Sequence, residues 1–208
     1  MTNVTRQLTT HDARRAPVAT ETDAARAGVY RLLGRLLAAP PDARLLETLG
    51  ALDVPGGEQG LAPAWGALRQ AARAAQPDAL DDEYHALFVG VGRGELMPYA
   101  SWYLSGFIMS RALAALRRDL DALGVERQPG VPEPEDHASA VCEAMSLVID
   151  SAHEIPAEVQ RGFFNDHLAR WMGRFFADLR LAQAARFYAA VGALGERFME
   201  IETQYLEM

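Results

Sequence analysis

Residues 164–179 read FNDHLARWMGRFFADL, and they place Phe164, Leu168, Trp171, Phe175 and Leu179 at intervals of four, three, four and four. That spacing returns large apolar side chains to one side of a 3.6-residue helix, so the stretch reads as a helix with a buried face. The following stretch repeats the rhythm with Phe187, Val191, Leu194, Phe198, Ile201 and Tyr205, which predicts a last helix over about 181–205. Working towards the N-terminus, Val141, Met145, Val148 and Ile149 mark a helix over about 135–153, and residues 99–123 read as one long helix stopped by Gly124. Leu80, Tyr84, Leu87 and Phe88 form the apolar face of a helix from Asp78 to about Val89. Pro63 suits the first turn of another helix, Asp42 can cap a short one, and Thr20 with Asp23 has capping-box spacing ahead of the stripe Val29, Leu32, Leu33, Leu36, Leu37. Strand alternation and fixed-period repeats are missing from the pattern. The expected architecture is all-α, a single-domain irregular bundle of about seven to nine helices.

Residues 1–19 are polar without apolar period and are expected to form a disordered tail, leaving 20–208 as the helical domain. Arg14 and Arg15 form a twin arginine, but the stretch after them contains Pro17, Glu21, Asp23 and Arg26 where an export signal needs an uninterrupted apolar region. No run of about 18 apolar residues is present to span a membrane. With 20 basic and 28 acidic side chains the net charge is -8, which disfavours nucleic acid or an anionic membrane as partner and favours a basic one. The one cysteine, Cys142, lies in an apolar run and reads as a buried residue in a reducing compartment, so a cytoplasmic location is expected.

Three constellations could carry chemistry. In Glu133-Pro134-Glu135-Asp136-His137, Pro134 can occupy a first helical turn and set the acidic residues at the positive end of the helix dipole. Asp136 and His137 are then expected at a surface that recognises a partner, with replacements that spare the fold; the blander reading is a helix cap with one solvated histidine. In residues 90–106, GVGRGELMPYASWYLSG, glycines and Pro98 precede Tyr99, Trp102 and Tyr103, giving a mobile loop beside an aromatic wall, unless the rings belong to the core. The glycines do not form a phosphate loop, since no Lys-Ser/Thr follows them. Asp82 with His85 and Asp150 with His153 have i, i+3 spacing on helices and pose a carboxylate and histidine metal-binding bundle enzyme as the alternative function. Both motifs carry the short Asp and no inward pair of glutamates accompanies them. Cys142 and His137, five residues apart, lie about 140° apart around a helix and make no dyad. The reading is therefore of a non-enzyme with no metal and no cofactor of its own.

Taken together, the phrase EYHALFVGVGRGELMPYASWYLSG (83–106), the later EPEDH (133–137), FFNDHLARWMGRFFADL (163–179) and ARFYAAVGALGERFMEIE (185–202) resemble, in order and spacing, the TorD/DmsD family of redox-enzyme maturation chaperones. The matching positions are Tyr84, Leu87, Phe88 and Gly90, then Pro98, Tyr99, Ser101 and Tyr103, then Glu133, Pro134, Asp136 and His137. The resemblance implies binding of a molybdopterin-containing oxidoreductase precursor and its twin-arginine signal peptide, delaying export until the cofactor is in place. It makes Tyr84, Phe88, Pro98, Tyr99, Ser101, Trp102, Tyr103, Glu133, Pro134, Asp136 and His137 the client-binding candidates. NarJ-like nitrate-reductase chaperones are the neighbouring alternative, and the EPEDH motif favours the TorD/DmsD side. Members of the family have been linked to guanine nucleotides, and the resemblance implies a monomer or a domain-swapped dimer.

Overall fold

A computed structural model describes residues 20–54, 56–90, 92–126, 132–152 and 155–207. The expected tail at 1–19 and His153 lie outside them. The described residues form ten α-helices and no named strand: α1 (Glu21–Ala38), α2 (Ala43–Gly50), α3 (Ala62–Ala74), α4 (Pro77–Tyr84), α5 (Ala100–Ser105), α6 (Arg111–Leu123), α7 (Ala138–Asp150), α8 (Ala157–His167), α9 (Met172–Leu181) and α10 (Phe187–Glu207). None is long and apolar enough to cross a membrane.

Local chemistry starts several helices where the sequence places them. Thr20 and Asp23 complete the capping box, with the Asp23 amide donating to Thr20 Oγ1 at 3.1 Å and the Thr20 amide to Asp23 Oδ2 at 3.2 Å. Asp42 accepts the Leu45 amide at 2.7 Å at the head of α2. The start of α10 is capped from a distance: Glu83 on α4 accepts the amides of Arg186, Phe187 and Tyr188 at 2.7, 3.2 and 2.8 Å.

The core is one cluster. α1 packs along α7, where Gly34 lets the backbones approach; a Cβ there would stand 3.1 Å from the Ser139 carbonyl. α10 packs against α9, α3 and α1, joining the Phe175, Phe176 and Leu179 face to Tyr188, Val191, Leu194 and Phe198. Behind this lies a buried ion pair between the first and last helices. Arg26 donates through Nε and Nη2 to both oxygens of Glu202 at 2.6 and 2.9 Å, while Gln160 and Tyr30 add hydrogen bonds at 3.0 and 3.1 Å.

Three helices expected to be continuous are broken. The stretch 99–123 is two helices, since Gly106 ends α5 in the left-handed region at φ 75° and Ser110 caps α6 by accepting the Ala112 amide. The helix after Pro77 changes to a π-helical turn over His85–Val89, closed by Gly90 at φ 60°. The opening 164–179 stripe divides into α8 and α9: the Trp171 indole N–H donates to the His167 carbonyl at 2.7 Å, the acceptor that the Trp171 amide would use in a continued helix. The stripe is nevertheless buried from end to end, with Trp171 1% exposed and Phe164, Leu168, Phe175 and Leu179 at 0%.

Candidate functional site

The segment carrying the acidic motif turns sharply before α7. The His137 amide donates to the Pro134 carbonyl at 3.0 Å, so Pro134 opens a turn outside the helix instead of occupying its first turn as expected. The chain then lies antiparallel to Pro98–Tyr99: the Ala100 amide donates to the Asp136 carbonyl at 2.9 Å and the Ala138 amide to the Pro98 carbonyl at 2.8 Å. This short bridge brings Pro98, Tyr99, Ser101, Glu133, Asp136 and His137 together across more than thirty residues of sequence.

Within it each side chain has a distinct task. Asp136 Oδ2 accepts the Ser101 amide at 2.9 Å and the Ser101 hydroxyl, capping α5 from outside, because Tyr99 at the cap position offers no side-chain acceptor of its own. Ser101 Oγ in turn accepts the Ser110 amide at 3.2 Å, tying α5 to the start of α6. His137 Nδ1 accepts the Ser139 amide at 3.2 Å and so caps α7. Accepting at Nδ1 requires the neutral ring with its proton on Nε2, and burial lowers the His137 pKa against the opposing pull of Glu133 and Asp136. The expected surface position of these two residues is corrected: Asp136 is 1% and His137 5% exposed, and both side chains cap helices from within the fold. One Asp136 oxygen, Oδ1, is buried without a donor among the described residues.

What faces outward is the rim. Glu133 is exposed and accepts the Tyr99 hydroxyl, while Glu135 pairs with Arg117 at 2.8 Å. Burial first, and the bond to Glu133 second, raise the Tyr99 pKa far above the ordinary phenol value. Trp102 is half-buried, with the Arg93 guanidinium 5.4 Å from its ring centroid. Tyr103 is half-buried against Trp171 and Phe175 and donates to Asp178 at 3.0 Å, so part of the aromatic wall is joined to the core. Tyr84 and Phe88 form a second aromatic group with Tyr188, and the Tyr84 hydroxyl donates to the Ala38 carbonyl at 2.9 Å. Burial and, secondarily, the charge of Glu133 raise the Tyr84 pKa.

The glycines of 90–106 are required by close approach as well as by turning. A Cβ on Gly90 would stand 2.0 Å from the Arg93 carbonyl oxygen, and one on Gly94 2.5 Å from the Leu87 oxygen. The loop folds back on the π-helical turn, with the Glu95 and Leu96 amides donating to the Ala86 and Leu87 carbonyls at 3.0 and 2.8 Å. Sequence reading missed the tip that follows. Phe107, Ile108 and Met109 are 75%, 52% and 73% exposed between α5 and α6, with Met109 at φ 58°. Their run of three apolar residues between Gly106 and Ser110 is the signal, hidden once a continuous helix is assumed. Among the described residues no three His, Cys, Asp or Glu side chains gather to hold a metal, and His85 pairs with Asp81 at 3.3 Å instead of joining Asp82.

The chain is 28% identical to the chaperone protein TorD of Shewanella loihica, across 90% of this chain and 95% of that protein. It is 26% identical to TorD of Vibrio cholerae over a shorter alignment, 58% of this chain and 59% of the relative. In fold it matches the crystal structure of a redox enzyme maturation protein from Archaeoglobus fulgidus, with a TM-score of 0.57 and 21% identity over 84% of this chain and 93% of that one. Residues 55–177, more than half of the sequence and including both the aromatic wall and the acidic clasp, match one family model, and the chain accordingly belongs to the nitrate reductase delta subunit family, which takes in the TorD chaperones.

Proposed function

We propose that this chain is a cytoplasmic maturation chaperone that binds the precursor of a molybdopterin-containing oxidoreductase, engages its twin-arginine signal peptide, and delays export while the cofactor is inserted. The observation that carries this reading is the similarity to a TorD chaperone along nearly the whole of both chains. The relatives are chaperones, not catalysts. The physical features are compatible with binding. The half-exposed rings of Tyr99 and Trp102, the acidic rim at Glu133 and the apolar tip at Phe107–Met109 offer a precursor both apolar surface and carboxylates. Tyr84, Phe88, Pro98, Ser101, Pro134, Asp136 and His137 support this surface from behind, as packing, turn and caps.

Mixing the purified chain with the precursors of its own organism's molybdoenzymes, with and without their signal peptides, tests the proposal by co-elution and calorimetry. Binding to at least one cofactor-free precursor is expected, weaker once the signal is removed. The signal-dependent part should fall as salt rises from 0.1 M to 1 M, because the Debye length shrinks from about 10 Å to about 3 Å. Failure to bind every such precursor overturns the reading.

A further inference from the structure

α4 holds four carboxylates in eight residues, Asp78, Asp81, Asp82 and Glu83, outside the Tyr99–Trp102 wall and the acidic rim at Glu133. Its residues 79, 82 and 83, with Ala86 of the π-helical turn, border an open trough of about 580 Å³ shared with α3 and the start of α10. Leu80 and Phe187, 2% and 4% exposed, form the floor, while Ala71, Ala74, Ala75 and Ala79 form the walls. Walls of alanine leave the trough unfilled by the protein's own side chains, so it can receive larger apolar ones from outside.

The charges around it have one dominant sign. Asp78 and Asp82 are exposed and make no ion pair among the described residues, Asp81 pairs with His85, and Glu83 accepts the amides at the start of α10. Arg186 is the basic residue on the rim, and its guanidinium is turned to the carbonyls of Gln183 and Ala185 at 3.0 and 2.8 Å. An apolar slot edged by the free carboxylate of Asp82, with that of Asp78 one turn earlier on the same exposed helix, fits a segment whose apolar stretch follows adjacent cationic residues. A second copy of this chain, with net charge -8, is a poor occupant of the same acidic edge.

We infer that the trough between α3, α4 and α10 seats the basic, apolar segment of a precursor, with its arginines at Asp78 and Asp82 and its aliphatic side chains over Leu80 and Phe187. This rests on the proposed function and adds a location to it, separate from the Tyr99–Trp102 wall.

The probe is a labelled synthetic peptide with two adjacent arginines followed by about a dozen leucine and alanine residues, titrated by fluorescence anisotropy. Ala79 is exposed, so Ala79→Trp fills the slot without entering the core. It is expected to weaken binding by at least about tenfold, because the aliphatic side chains of the peptide lose their seat, with thermal unfolding unchanged. The pair Asp78→Asn and Asp82→Asn should weaken it by a similar factor at 0.1 M salt and much less at 1 M. A fluorophore on Ala79→Cys, the reactive thiol in a chain whose Cys142 is buried, should respond to the peptide; this readout stands even if Ala79→Trp fails to fold. If the peptide binds the parent and every variant alike, and leaves the label unmoved, the trough is not the site although the proposed function survives. If neither this peptide nor any genuine precursor binds the parent, both fall.

Discussion

Asp136 is charged, follows a proline and precedes a helix, and everything local about it describes a surface cap. Its carboxylate instead closes a different helix, because the Pro98–Tyr99 backbone bridges to it from more than thirty residues away. Asp136→Ala removes the acceptor of the buried Ser101 amide and should cost about 1–3 kcal/mol, the usual cost of leaving such a donor unmade. Chemical denaturation measures this, and an unaltered midpoint would return Asp136 to the surface role. His137 makes a pH-dependent counterpart. Burial lowers its folded pKa below the ordinary value of 6.5, so the unfolded chain binds the proton more readily as pH falls below that value. Stability held above about pH 6.5 is therefore lost as pH drops through the folded pKa. His137→Asn, which can still cap Ser139 but cannot titrate, should show a smaller fall in thermal midpoint between pH 7 and 5; equal falls in both proteins would assign the loss to other groups.

At the scale of elements, apolar spacing sees faces but not breaks. Phe164, Leu168, Trp171, Phe175 and Leu179 are all buried, as their intervals imply, yet the backbone between them is interrupted. No proline or glycine marks that interruption at 168–171; the Trp171 indole makes it by taking the His167 carbonyl. The α5–α6 break was legible, since Gly106 and Ser110 are an ordinary stop and start. The caps from Glu83 and Asp136 were not legible, because their partners lie 103 and 35 residues away for Arg186 and Ser101. Helix content and core thus follow from periodicity, whereas the clasp depends on tertiary placement. Trp171→Ala and Phe175→Ala should each lose roughly 3–5 kcal/mol by emptying the core beneath Tyr103. Differential scanning calorimetry should find both well below the parent, and a loss under about 1 kcal/mol would mean these rings are not packed as described.

Across the whole molecule, the Arg26–Glu202 pair joins helices 176 residues apart in a space sealed from water. Glu202→Gln leaves the buried Arg26 with Asp23 as its one remaining carboxylate and should destabilise by several kcal/mol, whereas replacing the pair together with Arg26→Met and Glu202→Leu should cost much less. Equilibrium unfolding of the two variants decides between a required pair and an incidental one. The same helix that carries Glu202 fills the space between α9, α3 and α1. During synthesis α10 is the last of these helices to leave the ribosome, and until it arrives Tyr30, Leu68 and Phe176 have no lid and Arg26 has only Asp23, on its own helix, as a counter-ion. The contacts that close the core are therefore long in sequence and wait for the last helix, so this chain should fold after its synthesis is complete and not helix by helix along the way.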